Sequence, residues 1–278
     1  MTTTSASPPS GVTPPGRIKT ARAAISARTL RTDRWWVSPL VTAIVLSIFI
    51  VYTAGRLFMR SDYWVGEYHY LTPLYSPCLS DSCAPGSAHL GTPLPAFPLA
   101  LPLPILILPI LAGFRASCYY YRKAGYRAFL LSPPGCAVTE PAKKYTGETR
   151  FPLILQNLHR YFFYLASALL LINTYDAVLA FFPARGGFGV GLGSLILLVN
   201  VTMLWLYSLS CHACRHILGG RLKHFSAHPI QYWFWTQLSK INGRHMQFAW
   251  TSLITVMLTD FYIMAVAAGW IADLRLFH

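Results

Sequence analysis

Acidic residues are scarce in this chain. It holds 9 Asp and Glu against 23 Lys and Arg in 278 residues, and charged residues of both signs make up 12% of it, about half the share of an ordinary soluble domain. So little charge excludes a typical soluble globular enzyme. No glycine-rich nucleotide fingerprint occurs, and no second C-x-x-C accompanies Cys211 and Cys214, so neither a nucleotide fold nor a zinc ribbon is supported. Six cysteines are too few for a disulfide scaffold and have to be read by position. What is abundant is apolar: 54% of residues, with a mean hydropathy of +0.42. The net charge of +14 suits nucleic acid or an anionic membrane surface. Apolar runs of about 20 residues decide for the membrane and against nucleic acid.

Residues 1–34 are rich in Pro, Ser, Thr and Arg without an apolar period, and read as a disordered basic tail on the cytoplasmic side. Residues 35–275 read as an all-α integral membrane domain of five spans, at about 37–58, 98–120, 153–182, 190–217 and 246–271. Prolines 93, 95, 98, 102 and 104 predict an irregular first half for the second span. The Lys and Arg residues divide unequally between the two faces. The tail, 115–160 and 215–245 hold 19 of them, while Arg56, Arg60, Arg185 and Arg275 lie on the other side. By the positive-inside rule the N-terminus is cytoplasmic and the C-terminus outside, in a multi-pass plasma-membrane protein.

This topology sorts the cysteines and histidines. Cys78 and Cys83 fall on the oxidising side, where they are expected to form a structural disulfide. Cys118, Cys136, His159, Cys211, His212, Cys214 and His216 fall at the cytoplasmic membrane boundary. An isolated Cys is commonly a small buried hydrophobe, and an isolated interfacial His is usually solvated. Ionisable groups gathered at membrane depth are costly, and a whole set of them points to function. Candidate metal ligands are therefore Cys118, Cys136, His159, Cys211, His212 and His216. His212 and His216 are four residues apart on one helix face and can share a metal. Cys211 lies about 100° around the axis from His212, which shifts weight to Cys118 and Cys136. His159 is either a second histidine ligand or an outer hydrogen-bonding partner. Haem b would take paired histidines and no thiols. A Rieske-type [2Fe-2S] cluster takes two Cys and two His, and fits the mixed set better.

SCYYYRKAGYRAF (117–129), SPPGCAV (132–138), LQNLHRYF (155–162) and SCHACRHILGG (210–220), in this order within five spans, resemble the membrane anchor subunit of an actinobacterial-type succinate dehydrogenase or fumarate reductase. The resemblance covers about residues 36–275. It implies a respiratory complex II in which a flavoprotein subunit and an iron-sulfur subunit dock on the cytoplasmic face and send electrons to membrane quinone through the anchor, which would not be catalytic alone. It leaves open which metal ligands are used, the direction of turnover and any higher oligomer.

Tyr120, Arg122, Arg160 and Trp233 are candidate quinone contacts, although interfacial aromatics occur in any membrane protein. Asp176 and Asp260 lie within spans, where they suggest either a proton path or outer quinone pocket, or a hydrogen-bonded pair. A membrane di-iron hydroxylase or desaturase is a rival reading, motivated by the pairs His212/His216 and His224/His228. Such sites need about eight histidines, and the nearby thiols would go unexplained.

Overall fold

The computed structural model describes residues 31–94, 104–139, 158–220 and 222–277; all but four residues of the expected tail lie outside that set. Four helices are long and apolar enough to cross a membrane: α1 (Val37–Met59), α4 (His159–Leu179), α5 (Leu192–Leu209) and α8 (His245–Ala267). α2 (Pro104–Ser117) is apolar but has 14 residues, a rise of about 21 Å at 1.5 Å per residue. The expected second span, 98–120, maps onto α2 in part, since residues 98–103 lie outside the described residues.

Two of the expected spans are interrupted, and by the same device. α2 stops at Ser117, whose hydroxyl bonds back to the Gly113 carbonyl at 2.6 Å. Cys118 then takes an extended backbone (φ −66°, ψ 132°) before α3 (Tyr119–Phe129) begins. The expected helix over 190–217 likewise breaks after α5. Ser210 bonds back to the Tyr207 carbonyl at 3.1 Å, Cys211 is extended (φ −69°, ψ 144°), and α6 (His212–Gly219) starts with the Cys211 sulfur accepting from the Ala213 N–H. Ser and Cys here give the backbone local partners that compete with a continuous helix. The apolar run reads straight through both breaks, so periodicity alone does not reveal them.

α8 is the central helix. Ala249, Leu253, Val256 and Ile263 form a buried stripe on it, flanked by buried Ser252 and Thr259, and the small residues let α5 approach closely. α4 packs between α5 and α2, and α2 comes near enough that a Cβ at Gly113 would collide with the Phe162 ring. Val41, Ile44 and Val51 of α1 and Leu165, Leu171 and Val178 of α4 stay exposed, as a lipid-facing surface requires.

The ends of this bundle differ. At the Asp176 end, β1 (Trp64–Val65) pairs antiparallel with β2 (Tyr70–Leu71). The Tyr63 and Tyr75 rings stack at 4.2 Å, and Cys78 and Cys83 form the expected disulfide. Also here, β3 (Val190–Gly191) pairs with β4 (Arg275–Phe277). Asp176 accepts hydrogen bonds from Ser76 and from His89 Nδ1, and Asp260 from Arg56 Nε and Tyr52, both at 2.6 Å. Each carboxylate is thus partnered separately, and not with the other. The opposite end carries α3, α6 and α7 (Pro229–Asn242), the last exposing Ile230, Trp233 and Phe234.

Candidate functional site

Three buried side chains, Cys118, Cys211 and His245, and the half-buried His159 meet where α2, α4, α5 and α8 end. Cys118 and Cys211 occupy the two helix breaks, and His159 and His245 are the first residues of α4 and α8. His159 Nε2 lies 3.0 Å from Cys211 Sγ, and His245 Nε2 lies 3.6 Å from Cys118 Sγ. Both thiols and His245 are 2% exposed, which removes them from bulk water. Thiols ligate as thiolates, so a metal bound here would have to displace the Cys211 proton.

Each histidine is held on its other nitrogen and on its ring face. Ser117 Oγ is 2.8 Å from His159 Nδ1, and Ser210 Oγ is 2.8 Å from His245 Nδ1. Phe114 stacks on His159 with centroids 5.1 Å apart at 6°, and Tyr207 stacks on His245 at 5.1 Å and 11°. The carbonyl of Ser117 accepts from Arg122 Nε at 3.2 Å. That of Ser210 accepts from Asn242 Nδ2, whose side-chain oxygen is in turn held by Arg215 at 3.2 Å.

Of the six candidate ligands read from the sequence, the structure brings Cys118, His159 and Cys211 together. Cys136 is exposed in its turn, with its carbonyl accepting from Arg31. His212 and His216 do share one face of α6, but it is the exposed face; α6 instead buries Ala213 and Cys214. His245 was not among the candidates. The signal that could have found it was the position of a lone histidine at the start of an apolar run, the same position that His159 holds. His224 and His228 are exposed. Among the described residues no three His, Cys, Asp or Glu side chains converge on one point as a single metal ion would need; the donors form two facing pairs.

On the membrane side of this set lies a cavity of about 370 Å³ between α1, α2, α4, α5 and α8, lined by Phe49, Phe114, Arg115, Tyr121, Ala166 and Tyr207 among others. Phe114 and Tyr207 line the cavity and also stack on the two histidines, so one ring layer lies between it and the imidazoles. Arg115 donates to the Tyr121 hydroxyl and to Ser252 Oγ at 3.3 Å, and sits 5.1 Å from the Tyr207 ring centre. The Tyr207 hydroxyl is buried and has no hydrogen-bond partner among the described residues. The four residues read as candidate quinone contacts do not line this cavity. Tyr120 packs against His245 at 5.4 Å, Arg122 holds the Ser117 carbonyl, Arg160 is exposed, and Trp233 lines a shallow groove on α7.

Four helices long and apolar enough to cross a membrane, with a Cys/His set at their ends beside an apolar cavity, define a multi-pass helical membrane protein. Residues 37–269 match the family model for the actinobacterial succinate dehydrogenase subunit SdhC, and the chain belongs to that family: it is a membrane subunit of succinate dehydrogenase. A chain in the solved structure of the Mycobacterium smegmatis Sdh1 complex in the apo form is 60% identical, with a TM-score of 0.86 over 92% of this chain and 97% of that one. No curated protein matches the chain.

Proposed function

We propose that the chain anchors succinate dehydrogenase in the plasma membrane, holds an iron-sulfur cluster of the Rieske type between Cys118, Cys211, His159 and His245, and presents quinone in the adjoining cavity. The observation that carries this reading is the approach of the two Nε2 atoms to the two Sγ atoms where the helices end. Two thiolates and two imidazoles are the donor set of a Rieske centre. Among the described residues no three of the donors converge on one point, which suits a two-iron group, with both imidazoles on one iron and both thiolates on the other, better than a single ion. Haem fits poorly, because the faces of His159 and His245 are covered by Phe114 and Tyr207 and their Nε2 atoms face sulfur. When bound, such a cluster carries one electron at a time at a higher potential than an all-cysteine cluster.

The chain's own residues do the rest. Phe114 and Tyr207 stand between the cavity and the two imidazoles. A cavity of this volume falls in the range of small-molecule sites, and its walls are apolar apart from Arg115, Thr53, Asn173, Ser208 and the two tyrosines. The unpartnered Tyr207 hydroxyl, with Arg115 behind it, is the donor a quinone carbonyl would take.

The 19 Lys and Arg of one face support a five-span topology, with α2 counted as a span and the Cys/His end in the cytoplasm. They also favour docking of flavoprotein and iron-sulfur subunits there. The Sdh1 relative is named as a complex, in keeping with that assembly.

The test is electron paramagnetic resonance and iron analysis of the reduced, purified complex, comparing wild type with Cys118→Ser and Cys211→Ser. Each variant is expected to lose one [2Fe-2S] signal and its iron, along with quinone reduction, while succinate oxidation by an artificial acceptor persists. Spectra and iron content unchanged in both variants would overturn the assignment.

A further inference from the structure

The site is written twice in the chain. Phe114-x-x-Ser117-Cys118-x-x-x-Arg122 and Tyr207-x-x-Ser210-Cys211-x-x-x-Arg215 share one pattern: an aromatic, then a serine three residues on, its cysteine neighbour, and an arginine four residues after that. The fold uses both copies alike. In each, the cysteine sits in an extended break between two helices. The serine meets Nδ1 of one histidine, and the aromatic stacks on that same histidine. The thiols cross over, so that each imidazole held by one copy faces the cysteine of the other.

A serine hydroxyl has one hydrogen and two lone pairs. Ser117 Oγ lies 2.6 Å from the Gly113 carbonyl and 3.3 Å from that of Phe114; carbonyl oxygens only accept, so the hydroxyl hydrogen goes there. The 2.8 Å contact to His159 Nδ1 must then be the imidazole N–H donating to the serine. Ser210 repeats this, giving its hydrogen to the Tyr207 carbonyl at 3.1 Å and accepting from His245 Nδ1 at 2.8 Å. In the neutral form each ring carries its proton on Nδ1 and its lone pair on Nε2, the atom turned to sulfur.

Resting on the reading of the site as a cluster site, we propose that Ser117 and Ser210 are paired positioning residues. They lock both histidines in the Nδ1–H tautomer, so that both ligate through Nε2. A hydrogen bond from the remote N–H to an oxygen increases the electron donation of the ring toward its metal and fixes its orientation.

The test uses the purified complex with selective ¹⁵N labelling of histidine. In wild type, label at Nδ1 is expected as the weakly coupled, remote nitrogen of the reduced cluster, and label at Nε2 as the strongly coupled one; strong coupling from Nδ1 would overturn the proposal. In Ser117→Ala and Ser210→Ala, loss of cluster to a chelator is expected to rise about 10-fold, the lower end of the effect known for partners of metal-ligating histidines. The midpoint potential is expected to move upward, in the same direction for both, and Ser117→Thr and Ser210→Thr to restore it. Alanine variants with the potential, spectrum and chelator resistance of wild type would refute the clamp while leaving the cluster reading intact. A wild-type complex without a histidine-coupled cluster would refute that reading and the clamp with it.

Discussion

His159 Nε2 and Cys211 Sγ lie 3.0 Å apart although 52 residues separate them, one heading α4 and the other breaking the chain between α5 and α6. The pair exists because two helices end at the same depth. A contact so dependent on tertiary packing yields sharp contrasts between substitutions at neighbouring histidines.

His245→Ala is expected to abolish quinone reduction and remove cluster iron, since among the described residues no other buried histidine faces Cys118. The double change His212→Ala, His216→Ala removes two exposed side chains and is expected to keep quinone reductase activity within about 2-fold, as surface changes shift stability by under about 0.5 kcal/mol. Iron content and the signal of the reduced complex check both. Loss of cluster in the His212/His216 double variant, with retention in His245→Ala, would move the site to α6.

Tyr207→Phe keeps the ring that stacks on His245 and deletes the unpartnered hydroxyl. If that hydroxyl donates to quinone, KM for quinone should rise about 2- to 10-fold, the equivalent of one hydrogen bond, with the spectrum of the cluster site unaltered. A complementary change, Ala166→Phe, fills the cavity and should weaken quinone binding further. Steady-state kinetics at varied quinone reads both.

Arg56 and Asp260 are 2% and 0% exposed, far from the Cys/His end. Asp260→Ala strands a buried guanidinium and is expected to cost about 3–5 kcal/mol, seen as a fall in the thermal midpoint of the detergent-solubilised complex. The double change Arg56→Met, Asp260→Leu should recover most of it, because replacing both partners of a buried pair by apolar side chains is often neutral. A single variant as stable as wild type would show that water reaches the pair.

Topology is checked by thiol labelling in intact cells. Cys78 and Cys83 should label from outside only after reduction, and a cysteine introduced into the first 30 residues should be protected until the membrane is opened. Labelling of that tail cysteine from outside would invert the proposed orientation.

The sequence by itself determined the class of the protein, because transfer of apolar side chains out of water is additive along the chain and needs no partner. Val37–Met59 and His245–Ala267 are legible as helices from composition alone, and the bias of basic residues is a property of the list of residues. The residue types gathered in the site were legible too, since thiols and imidazoles at membrane depth are costly enough to stand out. Tertiary structure alone decided which of them meet. Helical periodicity ranked His212 with His216, but the break at Cys211 turns α6 so that this face meets solvent. His245, a lone histidine before an apolar run, acquired its place from the packing of α8 on α5. The paired Ser-Cys motifs were present in the sequence throughout; what gives them meaning is the crossing of their thiols onto each other's histidine, a relation between four helix ends that no single segment contains.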